Sequence, residues 1–394
     1  MGVVRRRAVL VAAGAAALLS LTGSAWLLAQ GLGRGMAAPT AEAGVQAPTG
    51  AATSAAPTPT PMVMVLSPRT SPDSFQAGVA VVAYGTDPGF AAKARTLLDH
   101  LAGLGANSVA LMVPIFQDGW TASSVYADAQ LTPTVDTVRT FIREAEARDF
   151  TVTLRPFLDE RRLGAPHWRG DIRPGNRAAW FAGYTQLLLQ YAHVGQDEHA
   201  DIFSVGTEFN SLQPDSAAWR ALVGSVRTVF KGSVTYSVNY NATAIGFASA
   251  LDFISVDAFY PLAAPAGAST DQLIRAWQPW LGALAQIHQA TGKPVVLSEV
   301  GVTSEVGSYR APYVWHHLSG LSLQAQAAYY EASCAVLKAK VAGIYWWEYD
   351  LNPPASPGTD LGFDPFGKPA EPQLQRCFEP PPGTTRPSTR QPAP

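Results

Sequence analysis

Short apolar runs alternate with amphipathic segments between residues 75 and 378, and this alternation restricts the fold more than any other feature. Within each run the apolar residues are largely continuous, as in strands buried on both faces of a parallel sheet. The segments between the runs repeat apolar residues at helical spacing, as 90–101 does before Gly103. The eight runs are 78–84, 108–116, 150–157, 201–210, 233–239, 251–260, 294–301 and 341–348. Eight strand–helix units predict an α/β protein built as a single (β/α)8 TIM barrel.

The size and charge of the chain fit one large domain that binds a neutral ligand. We assign the barrel to residues 74–379 of the 394, and a single α/β barrel commonly takes roughly 200 to 250 residues or more. The formal net charge of -2 gives no sign of the basic face that nucleic-acid-binding proteins carry, so no nucleic-acid partner is expected. Ten Trp residues fit a ligand such as a sugar, although core packing accounts for most of them.

The N-terminus has the composition of a targeting segment. Arginines at 5–7 precede an apolar run from 8 to about 30, so residues 1–34 are either a signal peptide or a membrane anchor. Both alternatives place the rest of the chain outside, secreted or tethered to the outer face of the membrane. The Pro-, Ala- and Thr-rich residues 35–73 predict a disordered linker, and 380–394 predict a disordered tail. Neither segment can bury enough apolar surface to fold.

Cysteines and histidines give little sign of redox or metal chemistry. Outside the cytoplasm Cys334 and Cys377 would form a disulfide that fastens the C-terminal segment to a late helix. The alternative is a free, buried Cys334. The seven His residues lack the H-x-x-x-H and H-E-x-x-H spacings, so no catalytic metal is expected. No G-x-G-x-x-G or P-loop pattern follows a strand, and no cofactor is predicted.

Two glutamates stand where buried strands should end. Glu208 follows the apolar residues of 201–210, and Glu299 follows those of 294–301. Because the carboxyl ends of all barrel strands meet at one mouth, the two side chains should face the same cleft. Two such carboxylates are what a glycosidase requires. The alternative is that each is a structural partner of an arginine or a helix N-terminus.

Other polar and aromatic residues also lie at or just beyond predicted strand ends. Arg155 lies in the third run, where it could pair with Glu208 or Glu299 and so belong to the site in either case. The further candidates for sugar binding are Trp168 in the loop after the third run, Asn239 in the fifth, Tyr260 in the sixth, and Trp346 and Trp347 in the eighth.

Three short motifs at these positions resemble a known family. Glutamates on strands four and seven are similar to those of clan A of the glycoside hydrolases, which are retaining enzymes with barrel folds. G-T-E-F at Glu208, S-E-V-G at Glu299 and W-R-G at 168–170 resemble family 113, the β-mannanase family. The resemblance covers roughly 78–369. It implies that Glu208 is the general acid/base and Glu299 the nucleophile of a double displacement.

The resemblance also implies roles for the remaining candidates. Tyr260 occupies the place of a tyrosine that hydrogen-bonds the nucleophile, and Trp346 or Trp347 matches the aromatic floor under the reacting sugar. Asn239 and Arg155 would bind hydroxyls or orient Glu299. One residue departs from the pattern, because the clan usually has Asn before the acid/base, where it binds the sugar 2-hydroxyl, and this chain has Thr207.

We therefore expect an exported retaining glycoside hydrolase that acts on β-1,4-mannan or a related polysaccharide or oligosaccharide. Within the same clan, the alternative is a hydrolase of another β-glucan or of an envelope polysaccharide. From a different class, the alternative is a catalytically silent sugar-binding barrel on the cell surface. A binding protein would hold oligosaccharide without releasing reducing ends.

Overall fold

A computed structural model describes residues 75–241, 245–314 and 319–380. In this part of the chain eight parallel strands close into a barrel in sequential order, with β1 hydrogen-bonded to β8. This confirms the predicted TIM barrel. The strands are β1 (Gln76–Val82), β2 (Ser108–Ile115), β3 (Thr151–Leu158), β4 (Ile202–Thr207), β5 (Ser233–Asn239), β6 (Ile254–Asp257), β7 (Val295–Val300) and β8 (Gly343–Tyr349). The helices are α1 (Phe90–Leu104), α2 (Val135–Glu146), α3 (Arg177–Asp197), α4 (Ser216–Val229), α5 (Thr270–Thr291), α6 (Leu323–Leu337) and α7 (Glu371–Phe378).

The N-terminal segment, the linker and the tail after 380 lie outside the described residues, so their predicted roles stay predictions. Within the described ranges no helix has the length and apolar character needed to cross a bilayer.

The barrel interior is built in layers by alternating side chains. In β5, Ser233, Thr235, Ser237 and Asn239 alternate with apolar residues that pack toward the helices. Apolar side chains fill the interior toward the amino ends of the strands, at Ala110, Ile202, Phe253, Val296, Ala342 and Tyr345. A second apolar layer, toward the carboxyl ends, comprises Ala80, Met112, Phe157, Phe259, Trp347 and Phe363. Between them lies a hydroxyl-rich layer, in which Thr235 and Ser255 are hydrogen-bonded at 2.9 Å.

The strand boundaries differ most from the prediction at β6, which spans four residues rather than 251–260. Leu251 instead ends a 3₁₀-helix, Ala248–Ala250. Beyond Asp257, the N–H of Ala258 donates to the carbonyl of Glu299 at 2.7 Å, and the ladder shifts register at this point. The regular strand therefore ends at Asp257, and the residues after Ala258 continue at the mouth of the barrel.

A disulfide joins helices α6 and α7. Cys334 of α6 and Cys377 of α7 are bonded, with their Cα atoms 5.7 Å apart and a sequence separation of 43. In this structure Cys334 is therefore part of a disulfide and is not a free, buried cysteine. A loop of this length should stabilise the fold mainly by restricting the unfolded chain.

We expect the Cys334→Ala, Cys377→Ala double variant to lose about 3–4 kcal/mol of unfolding free energy, the size that loop closure predicts. Denaturant unfolding measures the loss. Reduced wild-type protein should match the double variant, since both lack the same bond. Equal stability of the oxidised wild type and the double variant would contradict this role.

Candidate active site

Glu208 and Glu299 lie at the carboxyl ends of β4 and β7, and both side chains are buried, with exposures of 7% and 4%. Glu208 has a left-handed backbone, with φ of 56°. That conformation costs a non-glycine residue on the order of 1–3 kcal/mol and is common where function fixes a side chain. The N–H of Glu208 donates to the carbonyl of Ser237 at 2.9 Å, which holds the turn against β5.

Both oxygens of the Glu208 carboxyl accept hydrogen bonds. Asn239 Nδ2 donates to Oε1 at 2.6 Å, and Arg169 Nη1 donates to Oε2 at 2.7 Å. Burial raises the pKa of Glu208 to about 7, and the charge of Asp257 adds to the rise. Arg169 acts in the opposite direction and lowers it. A carboxyl with this pKa can hold a proton near neutrality and release it, as a general acid/base must.

Arg169 is a site residue that the sequence analysis quoted only as part of W-R-G. It lies in a 3₁₀-helix, Arg169–Asp171, in the loop between β3 and α3. Its Nε donates to the carbonyl of Leu158 at 2.8 Å, and Nη2 lies 3.3 Å from Glu160 Oε1. Its guanidinium also lies over the ring of Phe157, 5.6 Å from the centroid. These contacts fix the guanidinium beside Glu208.

The neighbouring Trp168 is partly buried, with its ring directly over Gly170. A Cβ at Gly170 would overlap that ring, so the glycine of the motif is needed for this packing. Trp168 therefore stands beside Arg169 at the mouth.

Glu299 is paired with Arg155, whose Nη2 lies 2.8 Å from Oε1. The same Nη2 contacts both oxygens of Asp257, at 2.8 and 2.7 Å. Burial raises the pKa of Glu299 well above its usual range, Asp257 adds to the rise, and Arg155 opposes it. Arg155 is 1% exposed, so it contacts Glu299 from within the barrel and lowers the pKa of that carboxyl.

Asp257 is a second residue that the sequence analysis did not select. It is fully buried and also accepts a hydrogen bond from Ser298 Oγ at 2.8 Å. With it, three buried carboxyls face the two guanidiniums of Arg155 and Arg169. The charge of Asp257 raises the pKa of both glutamates, because like charges close together in a buried site oppose a further ionisation.

Thr207 occupies the position where the clan usually has Asn, and its side chain is fully buried. Its Oγ1 accepts a hydrogen bond from Arg155 Nε at 3.1 Å. In this chain the side chain at this position supports Arg155, which contacts Glu299.

The two tryptophans of β8 face opposite sides of the sheet. Trp347 lies in the apolar layer at the mouth, with its ring 6.5 Å from that of Phe259. Trp346 packs between the barrel and the helices, stacked on Tyr330 of α6 at 4.4 Å. Only Trp347 is therefore placed to contact a ligand in the cleft.

Tyr260 is fully buried against α5, with its ring 4.8 Å from that of Trp280 and 5.8 Å from that of Trp277. Its hydroxyl has no hydrogen-bond partner among the described residues. The bond to Glu299 that the resemblance implied is not formed in this structure, and Arg155 is the group that holds the nucleophile candidate.

The described residues contain no group of three or more His, Cys, Asp or Glu side chains arranged to hold a metal ion. The chemistry available at the mouth is that of paired carboxyls, guanidiniums and aromatic rings.

Comparisons with known proteins give the family and agree with the fold. A family model described as Glycoside Hydrolase Family 113 matches residues 87–368. A solved family 113 β-mannanase from Alicyclobacillus acidocaldarius is 27% identical, with a TM-score of 0.69, covering 77% of this chain and 97% of its own. A family 113 β-1,4-mannanase is 22% identical with a TM-score of 0.70, covering 77% and 99%. No curated protein sequence matches the chain.

Proposed function

The chain belongs to glycoside hydrolase family 113, and from that premise we propose that it cleaves β-1,4-mannosidic bonds by a retaining double displacement. The observation that carries the proposal is the different surroundings of the two buried glutamates. Glu208 has a pKa of about 7 and accepts hydrogen bonds from Asn239 and Arg169. Burial raises the pKa of Glu299 as well, and contact with the fully buried Arg155 opposes that rise. Two carboxyls with separate roles are the requirement of this mechanism. The substrate is proposed from the similarity to solved β-mannanases.

In the first step, ionised Glu299 attacks the anomeric carbon and the glycosidic bond breaks. Glu208 donates its proton to the departing oxygen, so the leaving sugar departs as an alcohol. Arg155 keeps Glu299 oriented and favours its ionised form. Trp347 forms the apolar surface under the reacting sugar.

In the second step, Glu208 is a carboxylate and takes a proton from water, which attacks the glycosyl ester on Glu299. The negative charge of Glu208 raises the pKa of Glu299, and the coupling acts in both directions. Once Glu299 is an ester its charge is gone, and the pKa of Glu208 falls, as a base rather than an acid requires.

Arg169 should set the pH range over which Glu208 stays protonated. The cation lowers the pKa of Glu208, so Arg169→Met should raise that pKa. The basic limb of the kcat/KM profile requires protonated Glu208, and it should move to higher pH in the variant. Arg169→Lys keeps a cation and should leave the limb near that of the wild type. Profiles of both variants measured over pH 4–10 test this, and a basic limb that moves down in Arg169→Met would contradict it.

We also propose that the enzyme is exported. The basic start and apolar run of residues 1–34 support this, whether as a cleaved signal or as an anchor. The Cys334–Cys377 disulfide is consistent with an oxidising compartment. Two measurements test the location. Protease treatment of intact cells detects a domain on the outer face, and assay of the medium detects a secreted domain.

Reducing-sugar release from β-mannan, glucomannan, β-glucan and xylan tests the function, with Glu299→Ala alongside. Release from mannan that disappears in the variant would support the proposal. Release from another polymer alone would overturn the substrate and keep the reaction class. Binding of oligosaccharide without release from any polymer would replace the enzyme by a sugar-binding barrel.

A further inference from the structure

Two stacked tyrosines stand at the rim of the cleft. Tyr240 follows β5 directly, and Tyr313 lies in the segment between β7 and α6. Their ring centroids are 5.7 Å apart and their planes differ by 5°. Tyr313 is 44% exposed, and Tyr240 is partly buried beneath it. A large exposed ring on a fixed partner is a surface that can receive the apolar face of a ligand.

This pair stands beside Glu208. Tyr240 is the residue after Asn239, which donates to Glu208. On the other side, Asn241 accepts a hydrogen bond at 3.1 Å from Asn210, two residues beyond Glu208. Burial and the adjacent Tyr313 raise the pKa of Tyr240, and Glu208 is near enough to add to that rise.

Rigid aromatic packing supports the pair from below. Tyr240 lies 5.8 Å from the ring of Tyr260, which stacks on Trp280 of α5. Tyr240 also packs against the apolar layer that holds Trp347. Two aromatic surfaces therefore flank the glutamates, one around Trp347 of β8 and one at Tyr313.

A chain of sugars across the cleft must place its scissile oxygen against Glu208, since that residue protonates it. The sugar that departs with this oxygen lies on the side of Glu208 away from the bond to Glu299. We propose that Tyr240 and Tyr313 form the platform for that departing sugar, a β-linked hexopyranose of the polysaccharide. This rests on the proposed function and adds to it the residues of the leaving side.

The same platform would bind an acceptor sugar in the second step. An acceptor hydroxyl then replaces water, its oxygen bonds to the anomeric carbon, and the ester bond to Glu299 breaks. The hydroxyl proton passes to Glu208, so the balance matches that of hydrolysis. The platform should therefore set the partition between transfer to sugar and hydrolysis.

β-Mannobiosyl fluoride separates the two halves of the site, because fluoride leaves without occupying a sugar site. In Tyr313→Ala we expect unchanged fluoride release and a roughly three- to tenfold higher mannobiose concentration for half-maximal transfer. The kcat/KM for mannopentaose, whose leaving part needs the platform, should fall by the same factor. Tyr313→Phe keeps the ring and should resemble the wild type.

Val306→Ala is the matched control, since Val306 is similarly exposed, at 42%, in the same segment after β7. It should change none of these values. A Tyr313→Ala variant that keeps both the mannobiose concentration for half-maximal transfer and the kcat/KM for mannopentaose at their wild-type values would overturn the platform. The proposed function would stand after that result. If wild-type protein releases no fluoride, the mannoside function itself fails, and this inference fails with it.

Discussion

Glu299→Gln should lower kcat on mannan by at least about 10⁴-fold, because the amide cannot form the glycosyl ester. The change is nearly isosteric, and the amide oxygen can still accept from Arg155. Initial rates measure the loss. Incubation with a 2-deoxy-2-fluoro-mannosyl fluoride should add one sugar mass to the wild type and none to the variant.

Glu331→Gln is the matched control, since it makes the same chemical change at an exposed position on α6. It should keep wild-type rates and the covalent label. Far-UV circular dichroism and denaturant unfolding would show that Glu299→Gln is folded. A variant within tenfold of wild-type activity, or one that still takes the label, would remove Glu299 from the nucleophile role.

The barrel could be predicted because its strands are buried on both faces. β2 is apolar from residue 109 to 115 and pairs with β3 over eight residues in register, so the sequence shows a continuous apolar run. β6 was predicted too long because Leu251, Phe253 and residues 258–260 are also apolar, although they lie outside the paired residues of the strand. Periodicity reports burial, and hydrogen bonding decides where a strand ends.

The positions of the two glutamates at the barrel mouth could be predicted because each ends its own strand within a local motif. Arg169 and Asp257 were missed because their partners lie far away in sequence. Arg169 is 39 residues from Glu208, and Asp257 is 102 residues from Arg155. The sequence did contain a signal for Asp257, since it is a third carboxylate at the end of a strand. Considering it as the partner of Arg155 would have identified it.

Which of Trp346 and Trp347 faces the cleft also could not be predicted from the local sequence. Alternation along a strand requires neighbouring residues to face opposite sides, but it does not say which one faces inward. That choice depends on the register of β8 against β1 and β7, and both pairings shift near this point. Thr207 is similar, since its burial under Arg155 follows from a contact 52 residues away.

Glu208→Ala should lower kcat/KM on mannan by roughly 10²–10⁴-fold, the usual contribution of a general acid/base. With β-mannobiosyl fluoride as substrate, the rate of the first step should be nearly the same as in the wild type, because fluoride needs no proton to leave. Turnover of this substrate should then be limited by the second step, where no carboxylate takes the proton from water. A burst of fluoride followed by a slow phase is the expected time course.

Azide then separates the roles of the two glutamates. In Glu208→Ala, azide should restore turnover of the fluoride and give the β-mannobiosyl azide, since it replaces water at the glycosyl ester on Glu299. In Glu299→Ala, azide should enter the vacated space on the opposite face and give the α-azide. The anomeric configuration, read by NMR, decides the assignment. The opposite pairing of product and variant would exchange the two roles, and it would contradict the reading that Arg155 holds the nucleophile while Asn239 and Arg169 hold the acid/base.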